Sequence, residues 1–180
     1  MPVSKTRHRR LVVNASVAAA SSRSNAVRAQ RCFGLLWQIR CCGHMVMMTR
    51  HIHDEWEGKQ STQAAKWRRW MASKGRLVFL AEQNLESIEL DFGSLGFSGG
   101  EVRLMEEDAD LARAAFCTDR VVFSLDDEVR ALFAKASRQL EPLKKIMWAN
   151  PHTDPSCLNW VARGAPSNSS RMLCNYSETR

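Results

Sequence analysis

No apolar run in this chain is long enough to cross a bilayer. The longest such stretch, 32–48, is broken by Arg40 and His44, whereas a spanning helix needs about 20 consecutive apolar residues. The basic start MPVSKTRHRR is followed only by Leu11-Val12-Val13 before Asn14 interrupts, too short a core for a secretory signal. The chain also lacks a Cys-x-x-Cys pair. His44, His51 and His53 lie near Cys41 and Cys42, but without the spacings that structural zinc sites use. Ser16 has no His and acid at a recognisable spacing, which argues against a serine hydrolase. With no export signal, a cytoplasmic location with reduced cysteines is expected, and the Asn-x-Ser triplets at Asn14, Asn168 and Asn175 read as chance matches.

What is present is an uneven distribution of charge. Residues 1–76 hold 15 Lys or Arg against 3 Asp or Glu, residues 77–127 hold 3 against 12, and residues 128–180 hold 8 against 4. A basic surface flanking an acidic centre suits a metal-dependent enzyme acting on a polyanion; it equally suits an ordinary basic domain with solvated charge. The 180 residues accommodate one domain with a full core and short tails. The expected division is a basic tail over 1–9, one domain over 10–165 and a loose polar tail over 166–180.

Hydrophobic periodicity predicts strands alternating with helices. Strands are expected at 11–13, 45–48, 121–123 and 146–148, with 76–80 open between strand and helix. Helical spacing is read over 25–43, after Thr49, over 61–74, from Asp108 onward, over 129–140 with Pro142 as its stop, and from Asp154 to Gly164. Trp67 and Trp70 fall with Ala64 and Met71 on an inward stripe. The stretch 81–100, acidic and then rich in Gly and Ser, reads as a partly mobile loop, and Asn14 as the start of a polar turn. Such alternation implies an α/β fold, a parallel sheet of short strands covered by helices on both faces in three α/β/α layers.

Ligands of open α/β sheets bind at the carboxyl ends of strands. Asn14 and Asp126 fall at such ends, while Glu55 and Asp108 lie in helices able to reach the same edge. Asp108 shares an apolar helix face with Leu111, Ala112 and Ala115, where a carboxylate is costly without a partner; Asp110 points to water. Four oxygen-bearing side chains at one rim suggest a site for a hard cation. Each also has a simpler explanation: Asp126 and Asp127 as helix caps, Asp108 as a first-turn acid, Glu55 as a solvated helix residue.

The strand LVVNAS, the acidic pair in HIHDEW, the helix DADLARAA, the strand ending VVFSLDD, and WANP followed by WVARGA together resemble the PIN-domain nucleases, in particular their bacterial toxin branch. The resemblance covers roughly residues 10–165 and rests on the order and spacing of motifs that are individually weak. It implies a PIN-like fold, Mg²⁺ or Mn²⁺ as cofactor, and hydrolysis of a phosphodiester, usually in RNA, with DNA the less common substrate. It implies metal ligands at Asn14, Glu55, Asp108 and Asp126, with Asp127, Asp110 and Asp54 as near substitutes, and Ser124 as the hydroxyl orienting the final acid or a water. Arg50, Lys66, Arg68 and Arg69 would hold the nucleic-acid backbone. As partners it leaves open an antitoxin protein and a homodimer. The departure is Asn14, which stands where the family usually has Asp and brings no charge to the metal. A catalytically degenerate PIN module that binds RNA or a protein is therefore the alternative.

Overall fold

Short runs of Val, Leu, Met and Phe punctuate the chain, and in the computed structural model, which describes residues 8–177, five of them form one sheet. The strands are β1 (Arg10–Val13), β2 (Met45–Met48), β3 (Leu77–Phe79), β4 (Val121–Phe123) and β5 (Met147–Ala149). All pairings are parallel, in the order β3-β2-β1-β4-β5. β4 and β5 are buried throughout, and β1 and β2 beyond their first residues, as strands covered on both faces must be. β3 is an edge strand, and its Phe79 is half exposed.

Among the described residues the α-helices are α1 (Ala15–Ala20), α2 (Val27–Cys41), α3 (Arg50–Lys59), α4 (Thr62–Ser73), α5 (Glu82–Glu86), α6 (Gly99–Glu107), α7 (Ala109–Phe116), α8 (Asp127–Ala136), α9 (Glu141–Lys144) and α10 (Cys157–Ala162). From β1 the chain steps outward to β2 and β3. It then returns across the sheet to β4 and β5, so right-handed crossovers put α1 to α4 on one face and α6 to α9 on the other. The expected three-layer α/β/α architecture is present. α10 returns to the first layer and packs on α2.

Strand register fixes the level of the sheet's carboxyl edge. Val13 pairs with Phe123, Phe123 with Ala149, and Met48 with Phe79, so the strands finish at one level. The next residues along the rim are Asn14, Thr49, Ser124 and Asn150, all buried and polar. Each of these side chains is hydrogen-bonded, as buried polar groups must be.

Several local expectations are corrected. The polar turn after Asn14 is helix α1, with Asn14 as its N-cap. The stretch 81–100 is not an open loop: it contains α5 and a 3₁₀ turn at Gly93–Leu95, and it buries Leu85, Ile88, Leu90 and Phe92. Helix α6, absent from the periodicity reading, is announced by a capping box between Ser98 and Glu101. Pro142 does not stop a helix. It sits in the first turn of α9, where a missing N–H costs nothing.

The tails also differ from expectation. Residues 1–7 of the basic tail and 178–180 of the polar tail lie outside the described residues. Arg9 already joins the sheet edge, its carbonyl accepting from the Met45 N–H at 2.9 Å. Residues 166–177 are packed rather than loose. Met172 bridges to Met147 of β5, the Leu173 N–H donates to the Ile146 carbonyl at 2.9 Å, and Leu173 is fully buried. Leu173→Ala is expected to lower unfolding stability by about 2–5 kcal/mol, read from urea melts; an unchanged midpoint would mean that this segment does not contribute to the core.

Candidate active site

The rim gathers side chains from four elements. Trp56 of α3 is buried and its Nε1–H donates to the Val13 carbonyl at 2.9 Å. That bond pins α3 to the last residue of β1 and brings the neighbouring Glu55 to the rim. Asp108 lies at the junction of α6 and α7, where it is the C-cap of one and the N-cap of the other. Helix α7 can approach the sheet closely because its buried residues, apart from Leu111, are alanines at 109, 112, 114 and 115. Asp126 enters from β4 and caps α8, its Oδ1 accepting from the Val129 N–H at 3.0 Å.

Asp108 feels the charge of both Glu55 and Asp126. Burial, reinforced by the negative charges of Glu55 and Asp126, pushes the Asp108 carboxyl up to about 6 from its ordinary 3.8; Lys59 opposes the rise and Glu107 adds to it. Three acids from separate parts of the chain thus share one electrostatic environment, as a cation site requires. Their ligand atoms are not drawn tightly together. Among the described residues, the only three His, Cys, Asp or Glu ligand atoms within 4.8 Å of one another belong to His53, Asp54 and Glu57.

That trio is a poorer cation site than its spacing suggests. The Arg68 guanidinium donates to Glu57 at 3.0 Å, to Gln60 at 3.1 Å and contacts the His53 ring, so a fixed positive charge is already there. The donor chemistry of Glu55, Asp108 and Asp126 fits a hard divalent ion better: these are carboxylate oxygens under mutual repulsion, which a cation relieves.

Asn14 is in the expected place but turned away from the expected role. Its Oδ1 accepts from the Ser16 N–H at 2.9 Å, while its Nδ2–H₂ group faces both Asp108 oxygens at 3.5 Å. The amide therefore presents donors, not lone pairs, to the acids. Ser124 is fully buried; its Oγ accepts from the Asp126 N–H at 3.2 Å and shapes the turn that carries Asp126.

Asp127 does not join the group. Its Oδ2 accepts from Asn150 at 3.0 Å and Thr153 at 3.3 Å, tying the end of β5 to the start of α8, and its buried Oδ1 has no partner. Asp110 is not directed at water: it accepts from Thr49 at 3.1 Å and pairs with Arg113 at 3.3 Å. Asp54 is exposed beside His53. Among the substitutes, none replaces Glu55 or Asp108.

Lys59 was not evident from sequence motifs. One turn beyond Glu55, its Nζ pairs with Glu55 at 3.0 Å and its charge reaches Asp108. The i, i+4 spacing is the signal that could have found it. Of the expected backbone-holding residues, Arg68 is consumed by the contacts above. Arg50 is exposed and, with Thr49, Asp110, Arg113 and Glu82, lines a cleft of about 580 Å³ on the β2 side of the rim; Glu55, Asp108 and Asp126 do not line it. Lys66 and Arg69 are exposed on α4.

His44 is buried with both ring nitrogens engaged, by the Arg9 N–H at 3.0 Å and the Val161 carbonyl at 3.1 Å, and burial lowers its pKa. All six cysteines are free thiols.

Because the Asp108 carboxyl holds its proton more tightly folded than unfolded, the native state binds more protons between about pH 4 and 6. Stability therefore falls as pH rises through that window, and the full penalty, on the order of 3 kcal/mol, is present above it. Asp108→Asn is expected to be more stable than the wild type at about pH 7.5 and to show no gain at about pH 4, measured by urea unfolding at both. Equal stability at both values would show that Asp108 is not electrostatically frustrated.

The chain matches no family model, no curated protein and no solved structure.

Proposed function

We propose that this chain is a metal-dependent phosphodiesterase of PIN type that cleaves RNA, with Mg²⁺ or Mn²⁺ held by Glu55, Asp108 and Asp126. The observation that carries this reading is the convergence at one rim of Asp108, at the α6–α7 junction, with acids contributed from α3 and from the end of β4. A divalent ion held there would lower the pKa of a bound water and polarise the scissile phosphate.

The chain's own groups have separable tasks. Asp126 is held by its cap bond through Oδ1, and Oδ2 has no hydrogen bond among the described residues. Ser124 fixes the backbone of the turn that presents it. Lys59 holds one Glu55 oxygen and supplies a positive charge beside the acids, where it can also meet a phosphate. Asn14 donates to Asp108 and keeps that carboxylate facing the rim. Arg50 stands exposed at the neighbouring cleft, available to a backbone phosphate without reading bases.

A second reading is favoured by Asn14 and Lys59. The missing first acid and the ammonium among the remaining ones reduce the charge available to a metal, which suits a degenerate PIN module that binds RNA or a protein without cutting. A toxin paired with an antitoxin, a homodimer and a cytoplasmic setting belong to the first reading, the ribonuclease. No described helix is long and apolar enough to cross a membrane.

Purified protein is expected to cleave single-stranded RNA when Mn²⁺ or Mg²⁺ is added. Asp108→Asn and Asp126→Asn should abolish the cut, and Asn14→Asp should raise its rate at least tenfold, roughly the effect of one restored charge. Gel assays of RNA and DNA substrates, with calorimetry for the ion, decide it. Absence of divalent binding in both the wild type and Asn14→Asp would overturn catalysis and leave the binding module.

A further inference from the structure

Helices α2 and α4 share a property unconnected with the acidic rim: neither contains a carboxylate. No Asp or Glu occurs in residues 1–53 or in 58–81, stretches that include both helices entirely. At the end of these helices opposite the rim, where α2 finishes and β3 begins, arginine and tryptophan side chains stack in alternation. The Arg40 guanidinium lies 5.4 Å from the Trp37 ring centroid and 4.0 Å from that of Trp70, and the Arg76 guanidinium lies 5.6 Å from that of Trp70. Arg76 is fixed by donating to the Arg40 carbonyl at 3.0 Å.

Two features make this more than a packed edge. Trp37 is 50% exposed, although tryptophan is the side chain with most to gain from burial. Arg40 has no carboxylate partner and no side-chain hydrogen bond among the described residues, and Lys74, Lys66 and Arg69 nearby in sequence have no ion pair there either. A second copy of the chain would bring an equally cationic face to this one. An anionic, base-bearing chain complements both features at once.

We propose that the Trp37, Arg40, Trp70 and Arg76 array is a binding site for single-stranded nucleic acid, separate from the acidic rim. Trp37 offers its free ring face to an unpaired base, a contact that tolerates any base because each has a π surface. Arg40 is pre-oriented by the two rings and directs its unused N–H groups to the adjoining phosphates. Lys74 and Arg69 extend the positive track along α4. The occupant is single-stranded rather than duplex, because stacking on Trp37 requires a base free of its own neighbours. The site owes nothing to a metal ion, so it stands whether or not the rim cleaves.

The test is fluorescence anisotropy with a labelled 12-nucleotide oligouridylate in EDTA, using the full chain. The wild type should bind with an affinity that falls as salt rises. Trp37→Ala should weaken binding roughly tenfold at every salt concentration without changing the salt slope, and Arg40→Gln should reduce that slope by about 0.7. Trp37 is exposed, so its replacement should leave the circular dichroism melt unchanged. Three results would overturn the proposal: no oligonucleotide binding by the wild type; wild-type affinity in Trp37→Ala; or, by sedimentation, a dimer dissolved by Trp37→Ala, which would assign the face to a second copy.

Discussion

The structure depends on parallel strands ending level with one another. The Asn14 N–H donates to the Phe123 carbonyl at 2.9 Å, joining two residues more than a hundred positions apart. Once β1 and β4 are aligned this way, Asn14 and Ser124 must occupy adjacent places, and Thr49 and Asn150 complete the row. Backbone groups leaving a sheet need partners that the ladder no longer supplies. Here short polar side chains supply them: Asn14 caps α1, Thr49 caps α3, and Asn150 takes the Leu125 carbonyl while binding Asp127. The rim is thus a structural solution before it is a chemical one.

The acids are added to that rim at a cost in stability. Trp56 holds α3 against the end of β1, the alanine face of α7 lets Asp108 approach, and the Ser124 turn delivers Asp126. Each arrangement is locally favourable, yet the sum places like charges in partly buried surroundings and raises the Asp108 pKa. A folded chain retains such repulsion where something else is gained by it, which links the packing to the proposed cation site. Lys59 relieves part of the repulsion and Asn14 another part. Both offset negative charge at the rim, which is also what separates a weak metal site from a strong one.

Charge is divided by element. Helices α2 and α4 carry no carboxylate, whereas the returning segment through α5, α6 and α7 carries about half of the acids. Because the connections of a parallel sheet cross from one face to the other, a split along the sequence becomes a split in space. The same topology places the Trp37 array and the acidic rim at opposite ends of the strands.

The sequence alone determined the fold class, since apolar runs of strand length alternating with amphipathic stripes have few other solutions. It also marked Glu55, Asp108 and Asp126 as candidates, Asp108 for its place on an otherwise apolar helix face, Asp126 for its place after a buried strand, and Glu55 through the resemblance of its motif. It could not reveal which way a side chain turns. Asp127 and Asp126 are equivalent as text, yet only tertiary packing sends one to Asn150 and Thr153 and the other toward Asp108. Asp110 meets Thr49, Asn14 gives its oxygen to Ser16, and the polar stretch after 166 is fastened by Leu173 through contacts with partners far away in the chain. Those outcomes depend on which hydrogen-bond partners and cavities are within reach after folding, information that local periodicity does not contain.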